Sequence, residues 1–477
     1  MTQPNQPDTL FVDDSHTATF SEAKDNADNL VEWTYTWAGN PADSAIRASI
    51  CPVKYGKKWA YSIEIDDGTR QTGLFAPDFF ATFKYTDAPP EIRGGTPMPV
   101  VGSLSVIVSP VDADCRVLTH GDLSQIQKKG WSIANHSYSH SGRTWGDLPE
   151  ILSEESMVKD LFWSQTILTT WNIHGCVPVH YVYPNGYTDY ANHFDETEII
   201  SASLVGGTDG RNILHPDTGK RLYLDRTFLD ESVWSNTGNP LEGLPLNGFK
   251  TGDLQIDFTH AINTVPFSSN QKRWKERLRH LEQTYGAQGS DEFWSAPPDE
   301  VIRYTHAAQD SKIEVASNRF TLSLPEHRAG TSLTVKLDNV PNATRMDAPE
   351  GGVIYRQDKT VWLTTPLIGE CCKKVKPAVK EIYRGAMVQN LVFSKPIKIA
   401  AVQVKVHGNP VDMALSLCLP DSSRMYFDGI AASSYYMTGY QLFSQYPNHD
   451  AITATGIHVD VEHNYCYREM VVWTLEE

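Results

Sequence analysis

The 477-residue chain has no excess of basic charge, no long apolar run and no ordered set of cysteines, and each absence removes a class of function. With 41 Lys and Arg against 58 Asp and Glu, the formal net charge is −17. A chain of that sign repels nucleic-acid phosphates and anionic lipid, while a neutral or cationic glycan stays compatible. No stretch approaches the roughly 18 apolar residues that a membrane-spanning helix needs. The start, Met1-Thr2-Gln3-Pro4-Asn5-Gln6-Pro7, has neither the basic nor the apolar region of a secretory signal, so the expectation is a removed leader or another export route. Seven cysteines without a repeated spacing make no disulfide framework, and the odd count leaves at least one thiol free or intermolecular. Cys371-Cys372 reads as two ordinary thiols, because vicinal cysteines are awkward for a normal disulfide. Cys418 and Cys466 lie in strand-like runs and could pair. There is no internal repeat and no low-complexity tract.

At this length two to four domains are expected. Residues 1–50 are polar, apart from Val31-Glu32-Trp33-Thr34-Tyr35-Thr36-Trp37, which alternates as a strand does, and they read as an N-terminal arm or edge strand. From Trp59 strand-like and helix-like patterns alternate. Helices are expected near Leu74–Phe83, Leu118–Lys129, Ser153–Trp171 with Ser153 as N-cap, Asn270–Tyr285 closed by Gly286, and Asp299–Ala308 after Pro297-Pro298. Such alternation implies an α/β domain over 51–310, either a βα barrel or a doubly wound sheet. After about Lys312 the helical spacing stops. Short alternating runs such as Phe320–Leu324, Leu333–Leu337 and Val361–Thr364 predict a β module over 311–369, and a β-sandwich or jelly roll follows over 370–477. Trp33, Trp37, Trp362 and Trp473 sit in these runs as expected core residues.

The chemistry concentrates in four short segments. Asp66-Asp67-Gly68 ends the apolar run Tyr61-Ser62-Ile63-Glu64-Ile65, and two adjacent carboxylates after a buried strand are costly without a function. Asn135-His136-Ser137-Tyr138-Ser139-His140 offers two imidazoles that can converge on one cation. Tyr183-Pro184-Asn185-Gly186-Tyr187 and Ile256-Asp257-Phe258-Thr259-His260 follow two further strand-like runs. An isolated Asp-Asp-Gly is usually a turn, and an isolated His-x-x-x-His is usually a solvated helix face. Four such segments, each beside a strand, point instead to a metal hydrolase. The remaining histidines, including His120, His174, His180, His193, His215, His280 and His306, have no second ligand at useful spacing and read as surface or packed residues.

In this order the four segments resemble the motifs of the polysaccharide deacetylase family, the NodB-homology or carbohydrate esterase family 4 enzymes, over roughly Trp59 to Thr305. The resemblance implies a distorted (β/α) barrel of the NodB type. It also implies that Asp67, His136 and His140 hold a divalent metal while Asp66 acts as base. Two His and one Asp suit Zn2+ best, with Co2+, Ni2+ or Mn2+ compatible on ligand type. Pro184, Asn185, Gly186 and Tyr187 would wall the cleft, with the Asn185 amide facing the oxyanion, and His260 would be the general acid. Many members place an Arg just before the Pro motif, where this chain has Tyr181-Val182-Tyr183. Arg226 is the candidate replacement, and Asp230 or Trp234 would stand beside the acid. The separation of Asp67 and His136, 136 − 67 = 69 residues, suggests an inserted loop around Tyr85–Pro99 that could rim the cleft. The implied partner is an acetylated polysaccharide, which favours an extracellular, cell-envelope or particle-associated location. Two other readings use the same fold: a catalytically inactive glycan-binding protein, and a structural or adhesion component of a surface assembly or virus tail.

Overall fold

The computed structural model describes residues 19–25, 30–37, 46–141, 152–206, 209–214, 222–230, 239–264, 268–316, 318–342, 344–369, 379–407, 413–427, 429–430, 438–461 and 469–475. At its centre, parallel strands form a nearly closed barrel: β1 (Trp59–Ile65), β2 (Ser103–Val106), β3 (Ser132–Asn135), β4 (His180–Val182), β5 (Ser201–Ser203), β6 (Leu222–Leu224), β7 (Thr227–Phe228) and β8 (Asp253–Thr259). Strand order runs β8-β1-β2-β3-β4-β5-β6. The ring comes together because β6 pairs with β5 while β7, only Asp225-Arg226 further on, pairs with β8. Every residue of β1 is buried, as a parallel strand covered on both faces requires. Outward, the Tyr61 hydroxyl reaches Asp257, which is held by Arg277 on an outer helix. Inward, Glu64 meets His180 and Ser203.

The outer helices are α1 (Arg70–Phe80), α2 (His120–Gln127), α3 (Glu154–Trp171), α4 (Ser269–Tyr285) and α5 (Pro298–Asp310). Their ends follow local chemistry. Thr119 and Asp122 form a capping box on α2, the Ser153 hydroxyl accepts the Ser156 amide on α3, and Pro298 opens α5.

Within the segment expected to be an arm or edge strand, the described stretches are strands of sheets. Leu30–Thr36 pairs with both Thr19–Asp25 and Arg319–Pro325, and Arg47–Ile50 pairs with Thr334–Asp338. The alternation of Val31 to Trp37 buries Val31, Trp33 and Tyr35 against Phe320 and its neighbours, so Thr19–Asp25, Leu30–Thr36 and Arg47–Ile50 complete the β-rich region that follows the barrel. This region meets the barrel at the start of its strands, where the Tyr304 hydroxyl donates to the Cys51 carbonyl at 2.8 Å and Tyr355 to Asp87.

The Tyr85–Pro99 stretch does not rim the cleft. It is a hairpin, with Lys84–Thr86 antiparallel to Pro97–Pro99, and Tyr85 donates to the Ser295 carbonyl beside the beginning of β1. The physical reason is direction: α1 returns the chain to the strand starts, so an insertion between α1 and β2 lies at the foot of the barrel.

Beyond 379 two antiparallel sheets, one of five strands and one of four, enclose a core of Val402, Val404, Leu415, Leu417, Val459 and Val472 among others. The five-stranded sheet turns its other face, with Ala401, Tyr440, Leu442, Val471 and Trp473, onto the barrel. Trp33, Trp37, Trp362 and Trp473 are all buried. Cys418 forms no disulfide, and its suggested partner Cys466, like Cys371 and Cys372, lies outside the described residues. Among the described residues no helix is long and apolar enough to cross a membrane.

Candidate metal and hydrolytic site

All four motif segments leave the carboxyl ends of parallel strands: Asp66 follows β1, His136 follows β3, Pro184 lies just after β4 and His260 follows β8. Side chains from different strands therefore gather at one mouth, where barrel folds place their chemistry. Asp67 Oδ1 lies 3.5 Å from His136 Nε2 and 3.6 Å from His140 Nε2. The three candidate ligand atoms fall within 4.8 Å of one another. A tetrahedral ion with bonds of about 2.0–2.1 Å separates its ligand atoms by about 3.4 Å, so the two contacts to Asp67 match such an ion. His136 Nδ1 donates to the Val182 carbonyl at 2.8 Å, which in the neutral ring leaves Nε2 as the lone pair facing Asp67.

Charge states fit the same purpose. Burial, with His136 beside it, pushes His140 down to about 4, so its imidazole is neutral near pH 7. Burial alone would raise Asp67, but the adjacent His136 and His140 outweigh it and hold the carboxyl low. A carboxylate and neutral imidazoles are the donor set that a divalent cation takes.

The convergence depends on unusual backbone. Asp67, Ser137, His140 and Asn185 all have positive φ, at 68°, 67°, 57° and 49°. Such conformations are costly for non-glycine residues and tend to cluster at functional sites. His136 and His140 thus converge through an irregular loop. In the Pro184–Gly186 turn the amides of Gly186 and Tyr187 bond to Tyr183 and Pro184 carbonyls, so the Asn185 amide takes no part in closing it. Gly186 has φ 73°, and a Cβ there would sit 2.6 Å from Val205 Cγ2.

Arg226 occupies the break between β6 and β7 and points inward. Its Nη1 donates to Asp66 Oδ1 at 2.9 Å and to Glu64 Oε2 at 2.8 Å, while its guanidinium lies 3.8 Å from the centre of the Phe258 ring. Glu64 is completed by His180 Nε2 at 2.7 Å and Ser203 Oγ at 2.9 Å. Burial would raise Asp66, but Arg226, helped by His136 and His260, overrides it and keeps the carboxyl well below the usual range. The guanidinium that the Tyr181–Tyr183 segment lacks comes here from the break after β6.

His260 is held by Asp230, whose Oδ2 accepts from Nδ1 at 2.8 Å and whose Oδ1 accepts the His260 amide at 2.8 Å. Burial lowers this imidazole, but Asp230 and Asp66 outweigh it and raise the pKa to about 9. The ring is therefore cationic near neutrality, with Nε2–H the remaining donor. Phe228 and Phe258 stack at 4.8 Å and flank it. Tyr187 packs edge-on against Tyr190, and Trp234 lies outside the described residues.

Glu64 and Asp160 carry no motif, and His180, expected as a surface or packed residue, is buried against Glu64. Glu64 carried a signal, a charge inside a strand otherwise buried on both faces. Asp160 carried none beyond a helical position, yet it accepts the amides of Tyr138 and Ser139 between the two histidines.

No family model and no curated protein sequence matches the chain. Among solved structures, a Streptococcus pyogenes deacetylase, PplD, in complex with acetate aligns at 15% identity and TM-score 0.26, covering 35% of this chain and 62% of that one. A polysaccharide deacetylase from Bacillus cereus, BC0361, aligns at 18% identity and TM-score 0.26, covering 35% of this chain and 46% of its own. The chain thus spans less than two thirds of either neighbour.

Proposed function

We propose that the chain is a metal-dependent hydrolase that removes N- or O-linked acetyl groups from a polysaccharide. The observation that carries this reading is the meeting of Asp67, His136 and His140 at the barrel mouth, beside a carboxylate held by Arg226 and an imidazole held by Asp230. Asp67, His136 and His140 would hold a divalent cation, Zn2+ first and Co2+, Ni2+ or Mn2+ by the same donors, which when bound acidifies water and polarises an acyl carbonyl.

The chain's own residues supply the rest. Asp66 stays ionised and accepts the proton of the attacking water. Sharing Arg226 with Glu64 keeps that guanidinium from being devoted to Asp66 alone. As the water oxygen adds to the acyl carbon, charge grows on the carbonyl oxygen, to which the Asn185 amide would donate. His260 then passes its Nε2 proton to the departing amine or alcohol as the C–N or C–O bond breaks, leaving acetate and a free amino or hydroxyl group. Asp230 fixes the ring so that Nε2 is the proton that moves.

The test is acetate release from a panel of acetylated glycans by metal-stripped protein, before and after Zn2+ is added. Release that depends on Zn2+ supports the reading and identifies the glycan class. Metal binding with no release from any member would turn the reading to a glycan-binding protein on the same fold.

A further inference from the structure

The loop that carries both histidines is held from two sides, and one side belongs to the C-terminal sandwich. From the barrel's own outer helices, Asp160 on α3 accepts the Tyr138 amide at 2.7 Å, the Ser139 amide at 3.1 Å and the Ser139 hydroxyl. Asn135 Oδ1 accepts the Ser137 amide, and Ser137 Oγ accepts the His140 amide, both at 2.8 Å. From outside, the fully buried Tyr138 reaches into the sandwich. Its hydroxyl donates to the Tyr440 carbonyl at 2.7 Å and accepts from Gln403 Nε2 at 2.9 Å, while Gln403 Oε1 accepts Trp473 Nε1–H at 2.8 Å. Each partner in this chain has one role open to it: a carbonyl can only accept and an indole N–H can only donate, which fixes the Gln403 amide orientation. The backbones are tied as well, since the Tyr440 amide donates to the Ser109 carbonyl and the Ser109 amide to the Tyr138 carbonyl.

Positive φ at Ser137 and His140 persists only where the surroundings over-determine it. Tyr138 lies between those two residues. Resting on the metal-site reading above, we propose that the C-terminal sandwich is a positioning element of the metal centre: Gln403 and the Tyr440 carbonyl anchor Tyr138, and through it set how His136 and His140 face Asp67. Gln403 and Tyr138 are positioning residues; neither touches the cation. The alternation along Ala401–His407 serves this division, with Val402 and Val404 in the sandwich's own core while Gln403 faces the barrel.

Co2+ titration of the metal-stripped full chain, followed by visible d–d absorption, tests this. Gln403→Glu keeps the side-chain length and the acceptor for Trp473 but removes the donor to Tyr138; Tyr138→Phe removes one oxygen atom. Both are expected to bind Co2+ about tenfold more weakly, with an altered d–d band, as loss of a partner that orients metal ligands does. Val404→Ala, which opens the sandwich core on the opposite face, is expected to lower Tm and leave Co2+ affinity and spectrum unchanged. Should Gln403→Glu fail to fold, Tyr138→Phe carries the test. Wild-type affinity and spectrum in the folded variants would overturn the proposal and make the sandwich contact mere docking. A wild-type chain that takes up no Co2+ would instead overturn the metal-site reading on which the proposal rests.

Discussion

Two β-rich regions grip the barrel at opposite ends, and they differ in what they touch. The region built from Thr19–Asp25, Leu30–Thr36, Arg47–Ile50 and the strands after Lys312 covers the strand starts, through contacts such as Tyr355 to Asp87 and Tyr55 to Thr334. These contacts land on no motif residue. The C-terminal sandwich binds instead at the strand ends, and its bonds land on Tyr138, Ser109 and Trp163, the first of these between two candidate metal ligands. Both interfaces join the same apolar core, so burial alone does not distinguish them. What distinguishes them is whether the contacted backbone carries chemistry, and it follows that damage at the foot lowers stability alone while damage at the mouth also alters the site.

The largest effect expected at the mouth is that of Asp66→Asn. Removing the proton acceptor while keeping the side-chain shape should lower acetate release by about 100- to 10,000-fold with metal content intact; a variant as active as wild type would remove Asp66 from the chemistry. Next comes Arg226→Met. Glu64 and Asp66 would then lie buried without their shared cation, which should cost roughly 3–5 kcal/mol in denaturant unfolding, and an unaltered midpoint would mean the network is not balanced through Arg226.

A pH profile sharpens the comparison further. His260 must carry a proton to act as acid, so activity falls as pH rises through its pKa. That value is raised to about 9 in the metal-free chain, and the positive charge of a bound cation can only lower it. The alkaline limb of the loaded enzyme should therefore lie at or below about 9. Asp230→Asn removes an interaction that raises the pKa, so the limb should move to lower pH; a limb that stays in place would separate it from His260. The smallest effect belongs to the foot. Tyr355→Phe removes the bond to Asp87 and should cost about 1 kcal/mol or less, with Co2+ affinity unchanged.

Much of the mouth was legible because its pieces are local in the chain. A strand-like run followed at once by Asp66-Asp67, by His136 or by His260 places those residues at strand ends whatever closes the ring. The helices were legible for the same reason, with Ser153 and Pro298 marking starts that the structure keeps. Pairing across long separations was not. Tyr35 lies opposite Phe320, and nothing within residues 1–50 states that partner, so an inner strand read as an arm or edge strand. Gln403 alternates with valines as a solvent-facing residue would, because a sequence marks a polar face without saying what covers it. Glu64, Asp160 and His180 act through bonds to residues 21 to 162 positions away, a spacing that no local pattern encodes.

The most direct test of the central claim is X-ray absorption at the zinc edge on metal-stripped protein reloaded with one equivalent of Zn2+, compared with His140→Ala. The account predicts two imidazoles and oxygen donors with no sulfur in the wild type, and loss of one imidazole with weakened retention in the variant. Sulfur ligation, or a zinc environment identical in the two proteins, would contradict it.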